Sequence, residues 1–456
     1  MPKRLLSYED LHTYQDIAAD FVVEKKRCAL FMGLGLGKTG ACLRAVDMLY
    51  DRVEICKPLV IGPKLVVEKA WTDEIQQWAF SRNYRVALIA GTAEQRIKAL
   101  ESDADIYLVS RDNITWLIEH MGQHFDFDAV FVDESSSFKE PTTKRFKALK
   151  KVASIPEYFV ELTATPIPTG YLNLWSQVYL LDFGERLGRT YTQYKQRYFK
   201  QDWTGFKWTL REDCAEKIDK VVADICLSMR VEDYRDAQKP DVIDEEFDLP
   251  SKAREIYAQM EREYLVQFER RTVEAVNSAV LTNKLRQISA GMMYTDNESK
   301  EVQRIHTARR EKMQELRQRY PGEPLFIAYH YKFERKELER LFPDAVHLKD
   351  PDAIDAWNMG LVSELLAHPA SAGHGLNLQF GGRRVVWYTV DYPPEQYSQF
   401  NGRLDRQGQK EKVCIHRLLA RRSIDEIIVH QSLSGRAKTE HDFLLALRDD
   451  IIAGAG

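Results

Sequence analysis

Short apolar, β-branched runs recur along the first half of the chain, and each gap between them has room for about one helix. They are CALFM (28–32), PLVIG (58–62), RVALIA (85–90), DIYLVS (105–110), AVFVDE (129–134) and YFVELTAT (158–165). Runs of this kind suit strands covered on both faces, and such strands belong to parallel sheets flanked by helices. The intervening stretches have helical spacing, as in EKAWTDEIQQWAF (68–80). Strand and helix in alternation predict βαβ units.

The pattern changes after about Gly184. As far as Met229 the chain is aromatic and basic, and reads as helical or irregular. EDYRDAQKPDVIDEEFDLP (232–250) is polar and carries prolines, which predicts a linker. From Ser251 to about Gly291 the spacing is helical, with Ile256, Met260, Tyr264 and Phe268 recurring every fourth residue. Alternation then resumes with PLFIAYH (324–330), SELLAHPA (363–370), RRVVWYTV (383–390) and KVCIHRLLA (412–420). The expected organisation is α/β, with two parallel sheets in tandem and helical insertions. Its boundaries are a first lobe over 1–230, a linker over 231–250 and a helical insertion over 251–323. A second lobe over 324–446 and a tail over 447–456 follow.

Composition excludes several classes. At 456 residues the chain is too long for one ordinary core. With 44% hydrophobic and 29% charged residues it reads as globular and soluble. No window reaches the roughly 18 apolar residues of a membrane helix, and MPKRLLSYED has no signal-peptide core. Six cysteines without a C-x-x-C pair argue against a zinc ribbon or a disulfide framework, and predict reduced thiols in a cytoplasmic setting. A net charge of −4 neither announces nor excludes a nucleic-acid partner.

The chemistry concentrates in a few segments. FMGLGLGKTG (31–40) ends like a phosphate loop, with Gly37, Lys38 and Thr39, but Met32 stands where the first glycine belongs. Such loops aim backbone N–H groups at phosphates, place a lysine on the β/γ oxygens and set a hydroxyl on Mg²⁺. Strand before and helix after are the context the motif needs. Asp133 and Glu134 end an apolar run; that pair suits one carboxylate on the metal and one on the attacking water, or equally an acidic helix cap. In QFNGRLDRQGQK (399–410), Arg403 and Arg406 lie three apart, predicted on one helical face. They suit either a solvated stripe or contacts with a γ-phosphate.

Taken in order, the phosphate loop, the D-E box, LTATP (162–166), SAGHGLNL (371–378) and QFNGRLDRQGQ (399–409) resemble the motif series of superfamily two helicases. More specifically they resemble the Swi/Snf-type translocases of double-stranded DNA. LHTYQ (11–15), PLVIGPKLVVEKAWTDEIQQW (58–78), LNLWSQVYLLD (172–182), KLRQI (284–288) and SIDEII (423–428) extend the likeness from about Leu11 to about Leu433. In that family the first loop glycine is often replaced. The likeness is nearest to short, stand-alone members from bacteriophages and bacteria. Two departures stand out: Ser135 and Ser136 replace the usual Ala-His after the D-E box, and T-A-T replaces T-G-T.

The resemblance implies two RecA-like lobes with ATP and Mg²⁺ between them. Gln15, Gly35, Gly37, Lys38, Thr39, Asp133 and Glu134 would come from the first lobe, with Thr39 and Asp133 on the metal. The second lobe would contribute Gly375, Arg403 and Arg406. Hydrolysis, carried by Lys38, Glu134, Arg403 and Arg406, would be stimulated by DNA, with duplex preferred and forked or branched DNA as the alternative. Ser110, Thr163, Thr165 and Ser371 offer hydroxyls for DNA phosphates or lobe coupling, and the basic run 139–151 is either a DNA contact or a solvated helix face. The implied setting is the cytoplasm of a bacterium or phage-infected host. Competing readings are a fork helicase, an ATP-gated DNA clamp without motor activity, and a small-molecule P-loop kinase.

Overall fold

Every residue of Pro58–Gly62, Ile106–Ser110, Ala129–Asp133 and Tyr158–Thr163 is buried. That is the burial of central parallel strands, and the computed structural model assembles them so. It describes residues 4–164, 166, 170–202, 208–234, 239–269, 275–295, 301–372, 376–390, 394–406 and 408–433. The chain divides into two compact units, Met1–Ala237 and, in the main, the residues from Gln238 onward.

In the first unit the strands are β1 (Arg27–Met32), β2 (Pro58–Gly62), β3 (Val86–Ile89), β4 (Ile106–Ser110), β5 (Ala129–Asp133), β6 (Tyr158–Thr163), β7 (Phe199–Gln201), β8 (Trp208–Leu210) and β9 (Cys226–Met229). Seven of them form one sheet in the order β3-β4-β2-β5-β6-β1-β9, and all its pairings are parallel. Alternate side chains feed two cores. Ala129 and Phe131 join α1 (Thr13–Lys25), α2 (Lys38–Asp51) and α3 (Trp71–Gln77) on one face. Val130 and Val132 pack on the other face beneath Ile114–Met121, Lys144–Val152 and Leu174–Asp182. The aromatic–basic region contributes chiefly to packing, since Tyr194, Tyr198 and Phe199 are buried in that second core. The basic run forms Lys144–Val152, capped by Thr143, with Phe146, Ala148, Leu149 and Val152 turned inward.

The second unit contains β10 (Asp241–Phe247), β11 (Met292–Tyr294), β12 (Val302–Arg304), β13 (Leu325–Ala328), β14 (Val346–His347), β15 (Glu364–Ala367), β16 (Arg384–Trp387) and β17 (Cys414–Ala420). Six of these make a parallel sheet in the order β10-β17-β16-β13-β15-β14. The strand β10 corrects the linker reading: residues 241–247 pair along the whole of β17, from Asp241 opposite Cys414 to Phe247 opposite Ala420. Its polarity is that of an edge strand, where charge discourages further pairing. Asp244 accepts from Arg417, its register partner, at 2.6 Å, and Glu246 accepts from Arg421 at 2.9 Å.

A buried arginine ties this unit together. Arg309 is fully buried and donates to the carbonyls of Ser289, Tyr388 and Leu418 and to the Asp425 carboxylate. Asp425 in turn accepts from the Ala420 N–H at 3.0 Å and the Ser289 hydroxyl at 3.1 Å. A buried charge is tolerable only with such full pairing. Thus KLRQI, on the helix Ala275–Ala290, and SIDEII are fastened to the same sheet.

His306 lies beside this anchor. Its Nε2 meets the Ile288 carbonyl at 2.9 Å and its Nδ1 accepts from the Ala308 N–H at 3.2 Å, a pattern the neutral ring satisfies. Burial, then the nearby Arg309 charge, pushes its pKa down from 6.5 to about 4. Between those values the unfolded chain binds a proton that the folded chain does not. Stability is therefore fully present above pH 6.5 and falls as the pH drops toward 4. Urea unfolding should show wild type losing about 2 kcal/mol more than His306→Gln between pH 7 and pH 5. Parallel losses in the two proteins would remove His306 as the cause.

Candidate nucleotide site

Because the first sheet is parallel, the carboxyl ends of β1, β4, β5 and β6 share one edge. Register keeps them level: Phe31 lies opposite Thr163, Leu162 opposite Asp133, and Gly62 opposite Ser110. In open parallel sheets this is the edge where ligands bind. Adjacent strands lie about 4.8 Å apart. The D-E box on β5 is therefore two steps, about 10 Å, from the β1 loop, and Ser110 is four steps, about 19 Å. Ser110 lies at this edge but away from the loop.

The loop after β1 turns on Gly35 (φ 83°) and Gly37 (φ 66°), in the left-handed region that glycine enters without Cβ strain. Gly37 caps the fourteen-residue α2, whose first residues are Lys38 and Thr39. A helix N-terminus preceded by such a turn is an anion cradle. Met32 is the last residue of β1, pairs with Met229 and is wholly buried. The missing glycine thus falls on extended strand backbone, ahead of the turn, where no positive φ is needed. Its carbonyl accepts from Lys38 Nζ at 3.0 Å.

Gln15, buried on α1, braces the same loop. Its Oε1 accepts from the His12 N–H at 2.9 Å and its Nε2 donates to the Gly37 carbonyl at 3.0 Å.

Asp133 ends β5 fully packed. Its Oδ2 accepts from the Trp71 indole at 2.9 Å and its Oδ1 from the Glu134 N–H at 2.9 Å. Burial, then the adjacent Glu134 charge, pushes the Asp133 carboxyl above the usual range, against the pull of Trp71 and Lys38. Glu134 itself has left-handed backbone, φ 53° and ψ 53°. For a residue other than glycine this costs about 1–3 kcal/mol, and it persists only where the surroundings enforce it. Trp71 was not among the site residues read from the sequence. The available signal was a tryptophan in an amphipathic helix, whose N–H must find a partner when buried.

In the second unit, the arginines differ from expectation. The helix Pro394–Asn401 stops before them, and Gly402 to Arg406 run through turns, so they do not share a helical face. The Gly402 N–H still reaches back to the Ser398 carbonyl, and the bonds of Arg403 and Leu404 then tighten to three-residue turns. Arg403 is 4% exposed and its Nε donates to the Gln399 carbonyl at 3.1 Å, whereas Arg406 is half-buried. Both follow the carboxyl end of β16. Ser371 lies on the short helix Pro369–Ala372 after β15. Gly375 and Thr165 fall outside the described residues.

Comparison with known proteins decides the family. The SNF2-related domain family matches residues 14–315, more than half of the chain. This chain belongs to the SNF2-related family. Putative protein p41 of Acyrthosiphon pisum secondary endosymbiont phage 1 is 35% identical over 443 residues, 93% of this chain and 96% of that one. The DNA annealing helicase and endonuclease ZRANB3 of Bos taurus is 22% identical over 433 residues, 88% of this chain but 37% of that protein. The chain thus spans nearly all of the phage relative and little more than a third of the mammalian one. The DNA repair and recombination protein RAD54-like of Drosophila persimilis is 26% identical over 175 residues, 34% of this chain and 22% of that one. Among solved structures, the Sulfolobus solfataricus SWI2/SNF2 ATPase core in complex with dsDNA is 20% identical with a TM-score of 0.45, covering 100% of this chain and 97% of that one. The SNF2-related chain is an ATPase of helicase type, with two parallel sheets flanked by helices.

Replacing Met32 by Gly should lower the stability of the first unit by about 2–5 kcal/mol, as for other buried methionines cut back. The KM for ATP should stay within about twofold. A tenfold gain in ATP affinity would instead show that the phosphate loop lacks a glycine it needs.

Proposed function

We propose that this ATPase is a translocase on duplex DNA, hydrolysing ATP where its two RecA-like lobes close on each other. The observation that carries the reading is the shared sheet edge of the Gly35–Thr39 loop and the Asp133–Glu134 pair, in a chain of the SNF2-related family. Oxygen donors suit Mg²⁺, and the Thr39 hydroxyl and Asp133 carboxylate would hold it. When bound, the ion neutralises phosphate charge. Lys38, leaving the Met32 carbonyl, would take the β/γ oxygens, and Gln15 would hold the loop and meet the base. Glu134 would orient and polarise the attacking water. Gly375, Arg403 and Arg406 would complete the site from the second lobe, with the arginines stabilising charge on the transferring phosphoryl group.

DNA as partner is supported by relatives named for DNA annealing and for DNA repair and recombination. DNA bridging the lobes would favour the closed form and so raise turnover. Ser110, Thr163, Thr165 and Ser371 are the proposed phosphate contacts. Action on forks, as annealing or branch migration, is the second reading, favoured by alignment with an annealing helicase over most of the chain. The proposed lobe boundary falls near 231–250, now with β10 assigned to the second sheet. The phage relative supports a setting in the cytoplasm of an infected bacterium.

ATPase measured with duplex, single-stranded and forked DNA, together with triplex displacement and strand separation, tests the reading. Duplex stimulation and triplex displacement without unwinding are expected; preference for forks would favour the second reading. Glu134→Gln should keep nucleotide binding and lose at least about 100-fold in turnover. Full turnover in that variant would overturn the site assignment.

A further inference from the structure

Behind the D-E box lies a set of buried polar side chains to which the chemistry above gives no role. Ser135, Glu161 and Gln177 are each 0% exposed. They come from three elements: the turn after β5, the interior of β6 and the helix Leu174–Asp182. Glu161 lies opposite Val132 on one side and Ala29 on the other, in the middle of the sheet.

The hydrogen bonds run in one direction. Ser135 Oγ donates to Gln177 Oε1 at 3.0 Å. Gln177 Nε2 donates onward to the carbonyls of Pro166 at 2.7 Å and Asn173 at 3.1 Å. Ser176, the preceding residue, donates to the Lys139 carbonyl at 2.8 Å. One helix therefore grips both the segment after the D-E box and the segment after β6.

Glu161 stands beside this chain. Neither of its oxygens has a partner of full hydrogen-bond geometry, although the Ser135 hydroxyl is its polar neighbour. Arg27 acts on it only through its charge, since the guanidinium donates to the carbonyls of Ala153, Pro156, Leu180 and Leu181. Burial holds the Glu161 carboxyl well above the usual range, against the smaller opposing effects of Ser135 and Arg27. That burial favours the protonated acid, and the Ser135 hydroxyl is the polar side chain beside it. A shape-matched apolar set would fill this space without desolvating polar groups. What the hydrogen-bonded Ser135–Gln177 part of the set adds is a single arrangement, and the left-handed backbone of Glu134, directly attached to Ser135, requires enforcement.

We propose that Glu161, Ser135 and Gln177 form a positioning relay that fixes the D-E box against the segment after β6, holding the Glu134 carboxylate where the attacking water must be polarised. The inference rests on the hydrolytic role given to Glu134, and not on the DNA reading.

The test compares ATP hydrolysis without DNA, and melting temperature, in full-length variants. Ser135→Ala removes one oxygen and leaves a buried amide short of a partner. It should lower kcat at least tenfold with KM unchanged; an unchanged kcat would overturn the proposal. Glu161→Gln, a neutral side chain that still donates, should keep kcat within about threefold. A tenfold loss there would break the donor chain. The triple variant E161L/S135A/Q177L removes every member, so its melting temperature should return close to wild type while kcat stays at least tenfold down. Recovery of both would mean that the three groups only satisfy one another in the core, and the relay would be discarded. Duplex stimulation of wild type, read on the same preparation, separates the two proposals. Its absence would end the translocase reading and leave the kcat comparison intact.

Discussion

The ladder β5–β6–β1 decides where the chemistry of the first unit can be. Parallel pairing brings carboxyl ends to one side, and the register of Phe31 with Thr163 and of Leu162 with Asp133 sets them level. The loop at Gly35 and Gly37 and the carboxylates at Asp133 and Glu134 are about 100 residues apart in sequence, but the ladder puts them two strands apart. Helices on both faces bury β5 and β6 completely and β1 for the most part, and the strand ends are left to carry function. Burial is thus what stiffens the frame and also what confines the site.

Several of the buried polar groups hold ends in place. Trp71 fixes Asp133, Gln15 fixes Gly37, and the Ser135–Gln177 pair fastens the turn after Glu134. In the second unit Arg309 and Asp425 play the same mechanical part for the segments around Ser289 and Ala420. Each such group is costly to desolvate, so each marks a place where apolar packing alone leaves more than one arrangement open. The strained backbone at Glu134 lies among the most heavily tied of these places.

Much of this was legible in the sequence. Strands covered on both faces leave uninterrupted apolar runs, and so PLVIG coincides with β2 and AVFVD with β5. The edge strand β10 left no such mark. One side of it meets solvent, its side chains pair in salt bridges with Arg417 on β17 and Arg421 just after it, and a charged, proline-flanked stretch reads as linker. The four residues of β9, only partly buried, were too short to stand out. At the site, glycine turns and adjacent carboxylates were recognisable because their chemistry is local. Trp71 was not, because its partner is 62 residues away. The shared helical face expected for Arg403 and Arg406 failed for a local reason, the change from helix to turns after Asn401.

The proposed hydrolysis requires arginines of the second unit to act on a nucleotide held by the first. Its most direct test is single-turnover ATP hydrolysis by Arg406→Gln and Arg403→Gln, with nucleotide affinity measured on the same full-length preparations. Affinity should stay within a few-fold of wild type while hydrolysis slows by about 10³ or more, the scale on which such arginines act. Hydrolysis at the wild-type rate in both variants would contradict it.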